Sequence, residues 1–236
     1  MSAVLPLFPL GTVLFPGLLL PLRIFEPRYL TLVRHLTGLP DGTPREFGVV
    51  AIRKGWEVER GGPGAAGALI ATERPILHEV GCVAELRQVS EEPEGHLTIV
   101  VVGRRRFRVV GYEQDTMPYL MATVEWLPEP PGATEVADAA AASVLISFRT
   151  YLRTLRSQRS DLPEEQLPDD PTVLSHLIAA TASLTLDERQ RLLAEPDTLS
   201  RLRAEQELLH RELSLFARVR AIPVLLTDLS TPAGPN

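Results

Sequence analysis

Leu5-Pro6-Leu7-Phe8-Pro9-Leu10, Val13-Leu14-Phe15-Pro16-Gly17 and Leu20-Pro21-Leu22-Arg23-Ile24-Phe25-Glu26-Pro27-Arg28-Tyr29 open the chain, and their reading decides the fold. Each apolar run is short and is broken by proline or glycine. Proline has no N–H to give to a β-ladder, so it belongs at strand ends, edges and bulges. The stretch therefore predicts three short, bent strands, with turns at Pro9–Thr12 and Pro16-Gly17. Glu26-Pro27 predicts a helix start, because proline suits the first helical position and an acid suits the positive end of the helix dipole. Tyr29, Leu30, Val33 and Leu36 follow at helical spacing, and Gly38 is a natural stop.

Downstream, Phe47–Ile52 is a continuous apolar run, expected as a strand buried on both faces. Gly55 to Gly67 holds five glycines and one proline and reads as a mobile loop, with Trp56 as a lid anchor, a partner contact or a cover on the barrel rim. Val80–Val89 and Leu97–Gly103 predict a hairpin across the polar Glu91–Gly95 turn. Phe107–Tyr112 and Leu120–Leu127 predict two further strands. Many short strands with Gly/Pro turns suggest a small barrel or sandwich. Pro128, Pro130 and Pro131 mark a stiff connector at 128–132.

Beyond the connector the pattern is helical. Val136–Arg156 carries one apolar stripe, and Pro171 opens the next helix after Asp169-Asp170, which read as a cap. Thr185 and Glu188 have capping-box spacing. Asp197 caps a long helix whose Leu199, Leu202, Gln206, Leu209, Leu213, Phe216 and Arg220 repeat in steps of three and four. That seam fits either one wall of a bundle or a dimer-forming coil.

The chain has 236 residues, 44% hydrophobic and 23% charged, as in a soluble globular protein. A net charge of −6 argues against wholesale nucleic-acid binding. The single cysteine, Cys82, excludes an internal disulfide and a cysteine-rich metal site. The five histidines are scattered, so no metal and no cofactor is expected. The first basic residue is Arg23, so no secretory lead is read, and a cytoplasmic location is expected. One lysine, Lys54, stands among 24 basic residues, and Arg53-Lys54-Gly55-Trp56 is not a phosphate-cradling loop. No Gly-x-Ser-x-Gly occurs either, so the chain is expected to be no enzyme.

The run PLFPLGTVLFPGLLLPLRIFEPRYLTLV resembles the opening of the Lon-protease N-terminal, or substrate-binding, domain, and in particular its free-standing bacterial members. Glu79–Leu86, Gly103–Val109 and Pro118–Glu125 are also similar, and the resemblance spans most of residues 4 to 127. It implies an α+β fold: an N-terminal PUA-like β-barrel with one helix at 1–127, then a C-terminal helical bundle ending in a long helix. The bundle is expected over 133–225, after the 128–132 linker, with a tail at 226–236.

The implied function is non-catalytic binding of unfolded or degron-bearing polypeptides; delivery to a separate protease is a hypothesis motivated by the missing catalytic parts, and a monomer or a dimer is expected. Arg23, Phe25, Glu26, Arg28, Tyr29 and Trp56 are the candidate peptide-binding residues; Arg23, Glu26 and Arg28 either frame a groove for an apolar peptide or form buried ion pairs that lock the first helix to the barrel. Nucleic acid is disfavoured as a partner, and no membrane partner is expected. The alternative is an RNA-binding module built on Arg104, Arg106 and Arg108, which an unbroken strand would place on one face.

Overall fold

The computed structural model describes residues 2–54, 76–113, 117–132, 134–156 and 167–221. Strand β1 (Ser2–Leu10) is followed by β2 (Leu19–Ile24), helix α1 (Pro27–Thr37) and β3 (Glu46–Lys54). A long hairpin of β4 (Ile76–Glu91) and β5 (Leu97–Glu113) comes next, then β6 (Met121–Trp126). Helices α2 (Thr134–Arg156), α3 (Pro171–Thr181), α4 (Leu186–Ala194) and α5 (Thr198–Ala221) complete the described chain.

The architecture is mixed α+β, with a single six-stranded sheet in the order β2-β5-β4-β3-β1-β6. β5 also pairs with β6, from Phe107↔Trp126 to Glu113↔Met121. The pairings therefore run β1-β3-β4-β5-β6 and back to β1. β1 lies parallel to β3 and antiparallel to β6. The parallel pair needs a crossover, which β2 and α1 supply. β5 serves three neighbours because it is 17 residues long, continuous where the sequence suggested two strands.

Two expectations for the opening stretch hold. The first and third apolar runs are β1 and β2, and Pro27 is the first residue of α1, with Glu26 as its extended N-cap. The middle run, Val13–Phe15, is not a strand. Its neighbourhood bonds to β5 instead, Gly17 N–H donating to Gly103 O and Gly103 N–H to Leu18 O. Gly103 lets this segment cross close, since a Cβ there would overlap the Phe15 carbonyl.

β3 is buried on both faces, as its apolar run predicts. Phe47 and Val49 join a cluster with Phe8, Tyr29, Leu32, Val33, Cys82 and Ile99, while Val50 joins Leu5, Leu7, Val83, Phe107 and Val124. Gly48 and Gly81 leave room for the Phe107 ring, which would stand 2.6 and 2.5 Å from a Cβ at those positions.

Helices α2, α3 and α5 share a third cluster around Phe148, Tyr151, Leu174, Ile178, Leu202 and Leu209. The long-helix seam is thus used inside the molecule, with Leu213 and Phe216 packed against the same cluster. Asp170 caps α3 by accepting from Thr172 and Val173 N–H, and Thr185 with Glu188 forms the expected capping box on α4. A fourth cluster joins strands to helices: Val13, Phe15, Ala51 and Val80 meet Ala179, Leu192 and Leu193.

Candidate functional site

β2 is the edge of the sheet, paired with β5 alone among the described strands, from Leu19↔Val102 to Ile24↔Leu97. Its side chains alternate between exposed and half-buried until Ile24, which is buried, and Pro21 denies one N–H to any added strand. Where β2 runs into α1, a cleft of about 200 Å³ opens, walled by Phe8, Leu22, Ile24, Phe25, Tyr29 and Ile52. Phe8 and Tyr29 stack with ring centroids 3.9 Å apart, which makes one rigid wall. Phe25, 60% exposed, stands at the mouth, its ring edge-on to His96.

The charges at this cleft are paired with one another. Arg28 Nε donates to Glu26 Oε2 at 2.8 Å, and the Arg28 guanidinium lies 4.6 Å from the centre of the Tyr29 ring. Arg23 Nε donates to Glu92 Oε2 at 2.8 Å, and Glu92 also accepts from Thr98 Oγ1. Burial pushes the Tyr29 phenol up to about 12, Arg28 opposing and Glu26 reinforcing the shift. The wall is therefore neutral at physiological pH.

Arg23, Phe25, Glu26 and Tyr29 line one cleft, with Arg28 on its rim. Trp56 and the Gly55–Gly67 loop lie outside the described residues. Phe8, Leu22 and Ile52 complete the walls. The sequence signalled them only as core residues, because a cleft wall and a core share the same apolar composition.

The arginine row does not form. Between Cys82↔Arg106 and Ala84↔Gly103 the ladder gains a residue on β5, a bulge that breaks the alternation there. Arg104 and Arg105 are exposed, Arg106 and Phe107 are both buried, and Arg108 is exposed again. Arg104 pairs with Glu85, and Arg105 pairs with Glu46 and stacks over the Trp126 ring, 3.5 Å from its centre.

Arg106 instead points into the contact between strands and helices. Its Nε donates to Glu129 Oε2 at 2.5 Å, its Nη1 to Leu193 O and Glu195 O, and its Nη2 to Pro128 O. Those acceptors include carbonyls at the end of α4, which otherwise lack helical partners. Glu129 reaches a second buried guanidinium: Arg201 Nη2 donates to its Oε1 at 2.6 Å. Arg201 also donates to Leu192 O and Ser175 Oγ. One carboxylate thus serves two buried arginines, from β5 and from α5. Neither this cluster nor its members Glu129, His176, Arg201 and Glu205 could be read from spacing, since with Arg106 they come from four separate segments: β5, the 128–132 stretch, α3 and α5.

Comparison with known proteins places the chain. The family model of the ATP-dependent protease La (Lon) substrate-binding domain matches residues 4–211, strands and helices together. The chain belongs to the Lon substrate-binding domain family. It is similar to Lon protease 1 of Thermus thermophilus, 35% identical over 144 residues, which are 59% of this chain and 18% of that protein. The Lon protease of Anaeromyxobacter dehalogenans is 29% identical over 216 residues, 89% of this chain and 23% of that one. The chain thus spans about a fifth of the length of these two relatives. A Lon N-terminal domain protein from Xanthomonas campestris superposes with a TM-score of 0.55 at 25% identity, covering 85% of this chain and 95% of that one. The N-terminal domain of Mycobacterium avium complex Lon protease shares the fold, with a TM-score of 0.58 at 17% identity, over 88% of this chain and 98% of that chain. The chain is a substrate-recognition module by family, and the match falls on the part of Lon that does not carry its protease activity.

Proposed function

We propose that this chain holds extended, apolar polypeptide segments in the cleft between β2, the end of β1 and α1, and offers them to a separate protease. The observation that carries the proposal is the cleft itself. Phe25 stands exposed beside apolar walls, and the charges at the rim are already satisfied by Glu26–Arg28 and Arg23–Glu92. Such a surface selects by hydrophobic contact, at about 25 cal/mol per Å² of apolar area removed from water, rather than by charge. The free edge of β2 gives an extended segment backbone groups to pair with, except at Pro21.

In this reading the cyclic strand pairing is the PUA-like barrel and α2 to α5 are the helical bundle, two units meeting at 128–132. A cytoplasmic setting belongs to the same proposal; among the described residues no helix is long and apolar enough to cross a membrane.

The test is binding of fluorescein-labelled unfolded peptides by anisotropy. Phe25→Ala should weaken an apolar peptide by roughly tenfold, the scale of burying part of one aromatic ring, with the melting temperature unchanged. Equal affinity in wild type and variant would overturn the assignment of this cleft.

A further inference from the structure

His176 lies in the contact between the strands and the helices and has no work in the proposed cleft. It is 2% exposed, and among the described residues neither ring nitrogen has a hydrogen-bond partner. Unpartnered polar atoms in a buried site are costly and rare in native proteins, so the position calls for an explanation.

The groups that face it come from every element packed there. Arg106 reaches in from β5, with Cys82 of β4 behind it. Glu129 comes from the 128–132 segment, its Oε1 3.6 Å from His176 Nε2, too far for a hydrogen bond. Arg201 comes from α5, with Glu205 of the same helix turned to Arg201 and Ser175, and the Phe15 ring, 6.0 Å away, comes from the segment after β1. Around the ring stand two guanidiniums and one carboxylate, and that carboxylate already serves both guanidiniums. A third positive charge has no anion left to meet it.

We propose that His176 is a proton sensor at this contact: taking up a proton there requires the helices to draw away from the strands, so acid opens the molecule along Arg106, Glu129 and Leu193. The direction of the imidazole shift agrees. Burial, then Arg201 and Arg106, hold His176 down at about 2, so it is neutral in the closed form. Once opened, the ring regains water and loses Arg106. Arg201 of α5 stays beside the ring, so the open form binds a proton only below the ordinary 6.5, and it is one that the closed form refuses. Glu205 is buried too and is pushed well above the usual carboxylate range. Its neighbours Arg201 and Ser175 belong to α5 and α3, however, so parting strands from helices leaves its surroundings in place.

The experiment is native-state hydrogen exchange on the full chain between pH 7.5 and 5, corrected for intrinsic rates. The reporters are the amides of Leu127, which donates to Arg106 O, and Thr198, which donates to Pro130 O. Their opening should increase by up to about tenfold per pH unit below 6.5, the limit for one linked proton. Amides in the β4–β5 ladder should not follow. His176→Asn should abolish the pH response, and Glu205→Gln should keep it. A response that survives in His176→Asn, is lost in Glu205→Gln, or is equal throughout the sheet would overturn the proposal. Should His176→Asn fail to fold, the wild-type imidazole followed by NMR decides: titration near 6.5 with no accompanying opening would overturn it equally.

Discussion

Glu129 Oε2 lies 2.5 Å from Arg106 Nε, and Glu129 Oε1 lies 2.6 Å from Arg201 Nη2. The connector thereby ties a strand to a helix through one side chain. Both guanidiniums are essentially without solvent, so their desolvation is offset only while the carboxylate stays in place. Glu129→Gln removes the charge and keeps the shape. It should cost about 3–5 kcal/mol, the usual loss on stripping one partner from buried ions. Urea unfolding of wild type and variant measures it; a loss under about 1 kcal/mol would mean that the carbonyl acceptors suffice alone.

Gly103 sets how closely the Val13–Leu18 segment crosses β5. A Cβ there would overlap the Phe15 carbonyl, a backbone atom that cannot rotate aside. Gly103→Ala should therefore destabilise by about 1–3 kcal/mol, as overpacking does. Gly111, on the same strand with open space around it, is the control: its alanine variant should unfold within about 0.5 kcal/mol of wild type.

Cys82 is fully buried, and burial pushes its thiol up to about 12. The thiolate is the reactive form, so a thiol reagent at pH 8 should leave the native protein unmodified and label it only as it unfolds. Rapid labelling of native protein would contradict the burial described here.

Glu188 of α4 is held down at about 2, first by the hydrogen bond from Arg211 of α5 and then by the Thr185 backbone N–H. A depressed carboxyl stabilises the fold above its unfolded value of 4.5 and loses that contribution as pH falls towards 2. Glu188→Gln should thus lower the melting temperature at pH 7 and match wild type near pH 2. The difference should be modest and shrink with salt, because Arg211 is exposed. An unchanged difference at both pH values would remove the carboxylate from the account.

The sequence made most local features legible. Pro27, Asp170 and the Thr185–Glu188 pair each satisfy or spare helix-end N–H groups by short-range chemistry, and each lies where its spacing predicts. Proline alone did not tell an edge from an interior strand: Pro21 lies in the edge strand β2, but Pro6 and Pro9 lie in β1, which has a neighbour on each side. What spacing could not show depends on a single inserted residue or on long-range meeting. The β5 bulge turns Arg106 inward and dissolves the arginine row. A missing ladder partner leaves Val13–Phe15 outside the strands. The candidate cleft was half visible: Arg23, Phe25, Glu26 and Tyr29 are neighbours in sequence, whereas Phe8 and Ile52 arrive through the sheet.

β1 takes its partners from residues far along the chain: Gly48–Ala51 of β3 and Met121–Glu125 of β6. During synthesis the first strand leaves the ribosome long before its final neighbour exists. Its apolar residues must wait through more than a hundred additions, at about 5–20 per second, before both edges are covered. For several seconds of synthesis the apolar side chains of β1 therefore lack one of their two neighbours, so a module of a substrate-binding family itself passes through a state with an unpaired apolar strand.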